Sequence, residues 1–401
     1  MGACQVQSCH GRRICGHGQE GTSSLELNSK QPSRGDRYAT SDLDQIDQSL
    51  KGILSNAHAS LQPRQGADTA HRAAESSAAC GAVGGGGGAV STPAPESDSR
   101  IGMGLHSVEY FSREAAELEQ LVAVAGSAPS QDARVRKRHT FSTGSVYDGQ
   151  WLKGQRDGMG RHSWPDGAEY LGEWQNNVAE GRGMFTHSDG DVYIGEWRQN
   201  AANGLGIYRH RDGTKYEGVF VWDVQSGHGM ESWRDGSQFL GSFVDGRKEG
   251  VGVYNWPDES RYAGQWQGNH IDGAGQYSGS DGRYFYGCWE TSMMHGIGRY
   301  TWPDGRSYDG QYVSDTKHGF GIFTWADGRS YEGYWDSGRQ HGLGRLRRES
   351  GSTQLAEWHC GERVAWHNEH PEEEPRSLKQ VRMAASVGSY VSTEVGSEAG
   401  S

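Results

Sequence analysis

The sequence predicts an all-β repeat array: an elongated single-layer antiparallel sheet of about nine 23-residue hairpins, preceded by a largely disordered arm with one or two short helices. Three observations predict it. An aromatic residue recurs at Tyr147, Tyr170, Tyr193, Tyr216, Phe239, Tyr262, Phe285, Tyr308 and Tyr331, every step being 23 residues. A Gly-x-Gly pair follows each aromatic, first at Gly158 and Gly160 and last at Gly342 and Gly344. An Asp-Gly pair closes most units, as at Asp166-Gly167. Self-similarity at a fixed period is the signature of a repeat architecture.

Each element of the unit follows from its residues. Tyr147, Gly149 and Trp151 alternate with Asp148 and Gln150, and period two means a strand with one aromatic and one polar face. The position of Trp151 recurs as Trp174, Trp197, Phe220, Phe243, Trp266, Trp289, Tyr312 and Trp335. Gly158, Gly160, His162 and Trp164 repeat the alternation and predict a second strand. Asp-Gly supplies a turn with φ > 0 into the next unit. Bare strand glycines let large rings lie across them, and stacking of neighbouring units offsets the local cost of glycine. Full units run 147–353. Half-units flank them: Phe141 and Gly144 upstream, and Trp358 downstream, where Gln354 replaces the opening aromatic and Ala356 the glycine. With these caps the array spans 134–363.

All 14 Trp lie at or after Trp151, so residues 1–133 have little apolar surface to offset the entropy of ordering. That arm is predicted to be mostly disordered, with helices over 41–61 and 111–126 as transient elements or docking helices for a partner groove. Residues 364–401 read as a disordered tail, too short for a catalytic domain.

Composition excludes several classes. Asp and Glu outnumber Lys and Arg by 51 to 39, which argues against nucleic acid as a partner. No apolar run approaches the ~18 residues of a transmembrane helix. Six cysteines do not make a disulfide framework in a chain of 401 residues. His295, His318 and His341 form a column, but the same column holds Asp157, Glu180 and Asn203, so it reads as a polar loop position and not a metal ladder. Cys4, Cys9, His10, Cys15 and His17 fit no common zinc-finger spacing. No catalytic constellation, metal or cofactor is expected.

The YxGxW…GxG…DG pattern resembles the MORN repeat (membrane occupation and recognition nexus). The resemblance implies a non-enzymatic scaffold or targeting protein that holds protein partners, cytoskeletal or signalling, at a membrane or cortical structure. It also implies two alternatives: an axonemal component similar to radial-spoke heads, and a targeting subunit for a phosphoinositide kinase or another signalling enzyme. Homodimers are a further form of partnership among such proteins. The chain is expected in the cytoplasm, membrane-associated or cortical, or in the axoneme under the first alternative. The two aromatic columns that begin at Tyr147 and Trp151 are the expected recognition face.

Gly2 followed by Cys4 looks like a myristoylation site beside a palmitoylation site, although Val6 stands where Ser or Thr is usual. One acyl chain binds membrane marginally, so a second signal is needed, from Cys4 or from the basic run Arg134, Arg136, Lys137 and Arg138. Phosphoinositide binding by the repeats themselves is disfavoured, because 147–353 carries 21 Lys and Arg against 28 Asp and Glu, a net −7.

Overall fold

A computed structural model describes residues 107–126 and 133–367. Two helices, α1 (Ser107–Ser112) and α2 (Ala115–Gly126), precede 21 strands, from β1 (Val135–Thr140) to β21 (Glu362–His367). Every strand pairs antiparallel with its neighbours in sequence; β1 pairs only with β2 (Val146–Leu152), and β21 only with β20 (Thr353–His359). The sheet is therefore open, and the all-β repeat array expected from the period is what forms. No described helix is long and apolar enough to cross a membrane.

Rings hold the sheet together. Tyr147 stands edge-on to Trp151 at 5.1 Å and to Trp174 of the next unit at 5.4 Å. The pattern continues through Tyr170 with Trp197 and ends at Tyr331 with Trp358. Each edge-to-face pair contributes about 0.5–1.5 kcal/mol beyond its buried area. The Tyr147 hydroxyl donates to the Gln150 carbonyl at 3.0 Å, and the Trp174 indole N–H to the Gly160 carbonyl at 3.1 Å. The polar atoms of these two buried rings are thus satisfied inside the ladder.

Gly-x-Gly has two separate causes. Between β2 and β3 (Gln155–Ser163) the register shifts after Gly149, and Gly158 takes φ +99° in that bulge. Gly160 faces Gly149 across the pair, and a Cβ there would lie 2.2 Å from the Tyr147 hydroxyl oxygen. The first glycine is needed for its backbone and the second for room. The Gln150 side chain accepts the bulge amide of Met159 at 2.8 Å.

Some expectations are corrected. The second strand ends at Ser163, so Trp164 lies in the connecting turn. The column of His295, His318 and His341 lies inside strands, beside the bulge, and not in loops. Its acidic members cap the adjoining turn: Asp157 accepts the Asn176 amide and Glu180 the Gln199 amide. The helix expected over 111–126 starts earlier, at Ser107, and breaks between Ser112 and Ala115. Strand β21 carries the sheet to His367, past the expected boundary at 363.

The sequence reading also missed a turn. Within each unit a two-residue connection has both residues at positive φ, as at Asn176 (50°) with Asn177 (72°) and Gln199 (49°) with Asn200 (68°). Such turns match the strand twist. Asn177, Asn200, Asp223, Asn269 and Asp315 accept a backbone amide of the preceding unit at 2.6–2.8 Å, so each turn is tied to its neighbour.

Candidate functional site

The expected recognition rings are the interior of the array. Tyr147, Tyr170, Tyr193, Tyr262, Tyr308 and Tyr331 are fully buried, and Trp151, Trp174, Trp197, Trp266, Trp289 and Trp335 nearly so. Tyr216 is buried with them. What remains for a partner on this face is a second layer of rings, at the turns between units. It includes Trp164, Trp233, Trp256, Trp302 and Trp325.

This chain covers the first part of that layer itself. Phe111 of α1 sits edge-on to Trp164 (5.5 Å), Tyr170 (5.2 Å), Trp174 (5.6 Å) and Trp197 (5.7 Å). Tyr110 packs on Trp164 and Phe185 and shares a 3.2 Å bond with the Ser188 hydroxyl. The Ser107 hydroxyl donates to Asp223 and to the Asn200 carbonyl. Arg113 pairs with Asp166 at 3.0 Å. Glu117 of α2 accepts from Ser142 and meets His139 at 2.9 Å, which holds its carboxyl below the usual range. The helix expected over 111–126 as transient or as docking on a partner forms part of a 107–126 segment that docks on its own array.

Burial of charge marks the spot. Glu114, between the helices, is 2% exposed and accepts from the Ser145 hydroxyl at 2.8 Å. Arg156 is buried as well, 1% exposed, with its guanidinium 4.1 Å above the Trp174 ring. Desolvation pulls the Arg156 pKa down to about 10 against the opposing pull of Glu114. Desolvation, then Arg156, push His162 down to about 2, so this imidazole is neutral. His162 lies between the two charges: its Nδ1 shares a 2.9 Å hydrogen bond with the Arg156 guanidinium, and its Nε2 is 3.8 Å from Glu114.

The position of Arg156 recurs every 23 residues as Ala179, Ala202, Gln225, Lys248, Ile271, Met294, Lys317 and Gln340. Lys248 is satisfied within the sheet, 2.8 Å from Glu231. Lys317, on β17 (Thr316–Thr324), is different. Its ammonium faces Phe323 (4.5 Å), Trp335 (5.0 Å), Trp302 (5.3 Å) and Tyr308 (5.4 Å). No carboxylate among the described residues pairs with it, and desolvation pulls its pKa down to about 8. Trp302 and Trp325 beside it are only partly buried, whereas Trp164 under α1 is 4% exposed. The sequence offered a signal for this column, the 23-residue step, but polar and apolar members are mixed in it and hide the pattern.

The basic run lies on the edge strand β1 and on Arg134 just before it. Arg134 meets Asp157 at 2.7 Å and Arg136 meets Asp148 at 3.3 Å, so half of it is held by the sheet's own acids. Charge on an edge strand also discourages pairing with other chains. Gly2, Cys4 and the 41–61 segment lie outside the described residues.

A family comparison agrees with this geometry. The MORN repeat family matches nine consecutive units: 147–169, 170–192, 193–215, 216–238, 239–261, 262–282, 285–305, 308–328 and 331–353. No curated protein matches the chain in sequence. Among solved structures, the chain is similar to the SAS-4 (dCPAP) TCP domain of Drosophila melanogaster in complex with a proline-rich motif of Ana2. The identity is 14%, over 45% of this chain and 93% of that one, with a TM-score of 0.25. It is likewise similar to the TCP10 domain of Danio rerio CPAP, at 12% identity over 58% of this chain and 100% of that one, with a TM-score of 0.25. Scores this low carry no argument about function. The nine units cover half of the sequence and coincide with the hairpins of the sheet, and the chain belongs to the MORN repeat family.

Proposed function

We propose that this protein is a non-enzymatic scaffold that holds a helical segment of a partner protein on the aromatic face around Lys317. MORN repeats are a non-catalytic, binding type of repeat, and that much the family supports. The observation that carries the finer reading is α1. Its seat supports this reading: two adjacent aromatic side chains pack on the face, and Glu114 beside them favours the charged form of the buried Arg156. Around Lys317 the rings and the cation are present, and the acid is missing among the described residues. A partner helix with an aromatic residue and a nearby glutamate would complete it, with both the ring burial and the charge pairing contributing.

Attachment to a membrane or cortical structure is part of the proposal and rests on Gly2 and Cys4 alone. The array, at net −7, is a poor match for an anionic bilayer. The test combines variants at two sites. Lys317→Glu should abolish co-purification of the partner, and Lys317→Met should weaken it while the array melts no lower than before. Gly2→Ala should move the protein from the membrane fraction to the supernatant without affecting partner capture. Partner capture that survives Lys317→Glu would refute the docking site.

A further inference from the structure

At the far end of the array the sheet gathers ligands of another kind. His341 lies on β19 (Arg339–Arg347) and His359 at the end of β20, and Gly342 faces Trp358 across this pair, so the two histidines are next to each other across the strands. Their ring centroids are 5.2 Å apart. Cys360 follows at once, an exposed free thiol at φ 50° in the turn to β21. The ligand atoms of all three lie within 4.8 Å of one another. We propose that His341, His359 and Cys360 bind a zinc ion that clamps the last hairpin to the array.

The chemistry of the set favours zinc. Two imidazole nitrogens and a thiolate are borderline-soft donors, and three such ligands leave the fourth tetrahedral position to water. Zinc at its usual bond lengths holds ligand atoms about 3.3–3.8 Å apart, so the trio must close by roughly 1 Å. His359 and Cys360 are exposed and free to rotate that far. The His341 Nδ1 atom is buried without a hydrogen-bond partner. On binding, the Cys360 S–H gives its proton to solvent and the S–Zn bond takes its place.

The neighbouring histidines of the column lie near carboxylates and not near a second histidine and a cysteine. His295 Nδ1 lies 3.1 Å from Glu290, and His318 Nδ1 lies 3.6 Å from Asp336. In the turn position of Cys360 the preceding units carry Thr291, Ser314 and Ser337. The convergence is thus confined to the final unit. It occurs where the ring ladder loses its members: Gln354 stands in the place of the opening tyrosine, and the Trp358 indole N–H is buried without a partner. A metal clamp joining β19, β20 and the β20–β21 turn would substitute for the missing ring contacts.

The test uses the full-length protein and reads Cys360 by itself. Alkylation of each cysteine is followed by peptide mass spectrometry, with and without Zn²⁺. Zinc should block modification at Cys360, and His341→Asn should abolish that protection while His318→Asn keeps it. Co²⁺ should give a thiolate charge-transfer band whose Cys360-dependent part vanishes in Cys360→Ser. The substitution lies on an exposed turn and should leave the circular dichroism spectrum unchanged. Equal alkylation of Cys360 with and without Zn²⁺, or protection that persists in His341→Asn, would overturn the site.

Discussion

Lys248 Nζ lies 2.8 Å from Glu231 Oε2, with the glutamate buried and the lysine side chain 14% exposed. Lys317 occupies the same place in a later unit, but Tyr300 stands where the glutamate would be. One cation is neutralised within the sheet and the other is left largely desolvated among rings, which costs stability unless a partner supplies the acid.

Removal of that cation should stabilise the free protein. The Lys317 pKa falls from 10.5 to about 8, so between these values the unfolded chain holds the proton more tightly. Stability should rise with pH across that window, and the penalty is fully present below it. Lys317→Met copies Met294 of the same column. It should raise stability at pH 7 by about 1–3 kcal/mol, less what the rings return as cation–π attraction, and should flatten the rise toward pH 10. Urea unfolding at pH 7 and pH 9.5 checks both. The same variant should weaken partner binding.

The opposite end of the array should be sensitive to acid. His162 is held neutral, with its pKa pushed down to about 2 from 6.5, first by burial and then by Arg156. Below pH 6.5 the unfolded chain takes up this proton and the folded one does not, so stability should fall steadily as pH drops. His162→Phe matches Phe185 in the next unit and should reduce that slope. Melting temperatures from pH 7 to pH 4 measure it. Equal slopes for the two proteins would show that His162 is not the titrating group.

The ring ladder predicts one gain and one loss. Phe239 and Phe285 lack the hydroxyl by which Tyr262 donates to the Gln265 carbonyl at 3.0 Å. Phe239→Tyr should place a hydroxyl near the Ser242 carbonyl and gain about 0.5–1.5 kcal/mol. Gly252→Ala should lose about 1–3 kcal/mol or more, because the new Cβ would stand 2.5 Å from the Phe239 ring. Denaturant midpoints distinguish the two. A neutral Gly252→Ala would mean that the ring does not lie over that glycine in solution.

Period and alternation made the sheet legible in the sequence, because side chains with a two-residue repeat report which face they share. Tyr147, Gly149 and Trp151 gave the first strand and Asp166-Gly167 the turn between units. The turn within units was missed, since Asn, Gly, Asp and Ser all serve at the position of Asn177 and no single residue type announces it. The bulge at Gly158 was missed for a related reason: both glycines of the pair look alike, although one is chosen for φ and the other for space. The seat of α1 could not be read at all. It depends on Phe111, Glu114 and Arg156 meeting across 45 residues of chain, and only the fold brings them together.

Docking of α1 should be separable from the sheet. Phe111→Ala removes a side chain that is 3% exposed and should weaken the helix–array contact by about 3–5 kcal/mol. Hydrogen exchange over 107–126 should then accelerate strongly, while the central strands keep their protection. Loss of protection throughout the array would mean that the helix is part of one cooperative unit with the sheet.

The central claim is that the aromatic face receives a helix from this chain near Trp164 and a helix from another protein near Trp325. Site-specific photocrosslinking in cells measures that directly, with a photoreactive phenylalanine analogue placed at position 325 or at position 164. The account predicts an adduct with a second polypeptide from position 325, lost in Lys317→Glu, and only an intramolecular link to residues 107–112 from position 164. Adducts with other proteins from position 164 and none from position 325 would contradict it.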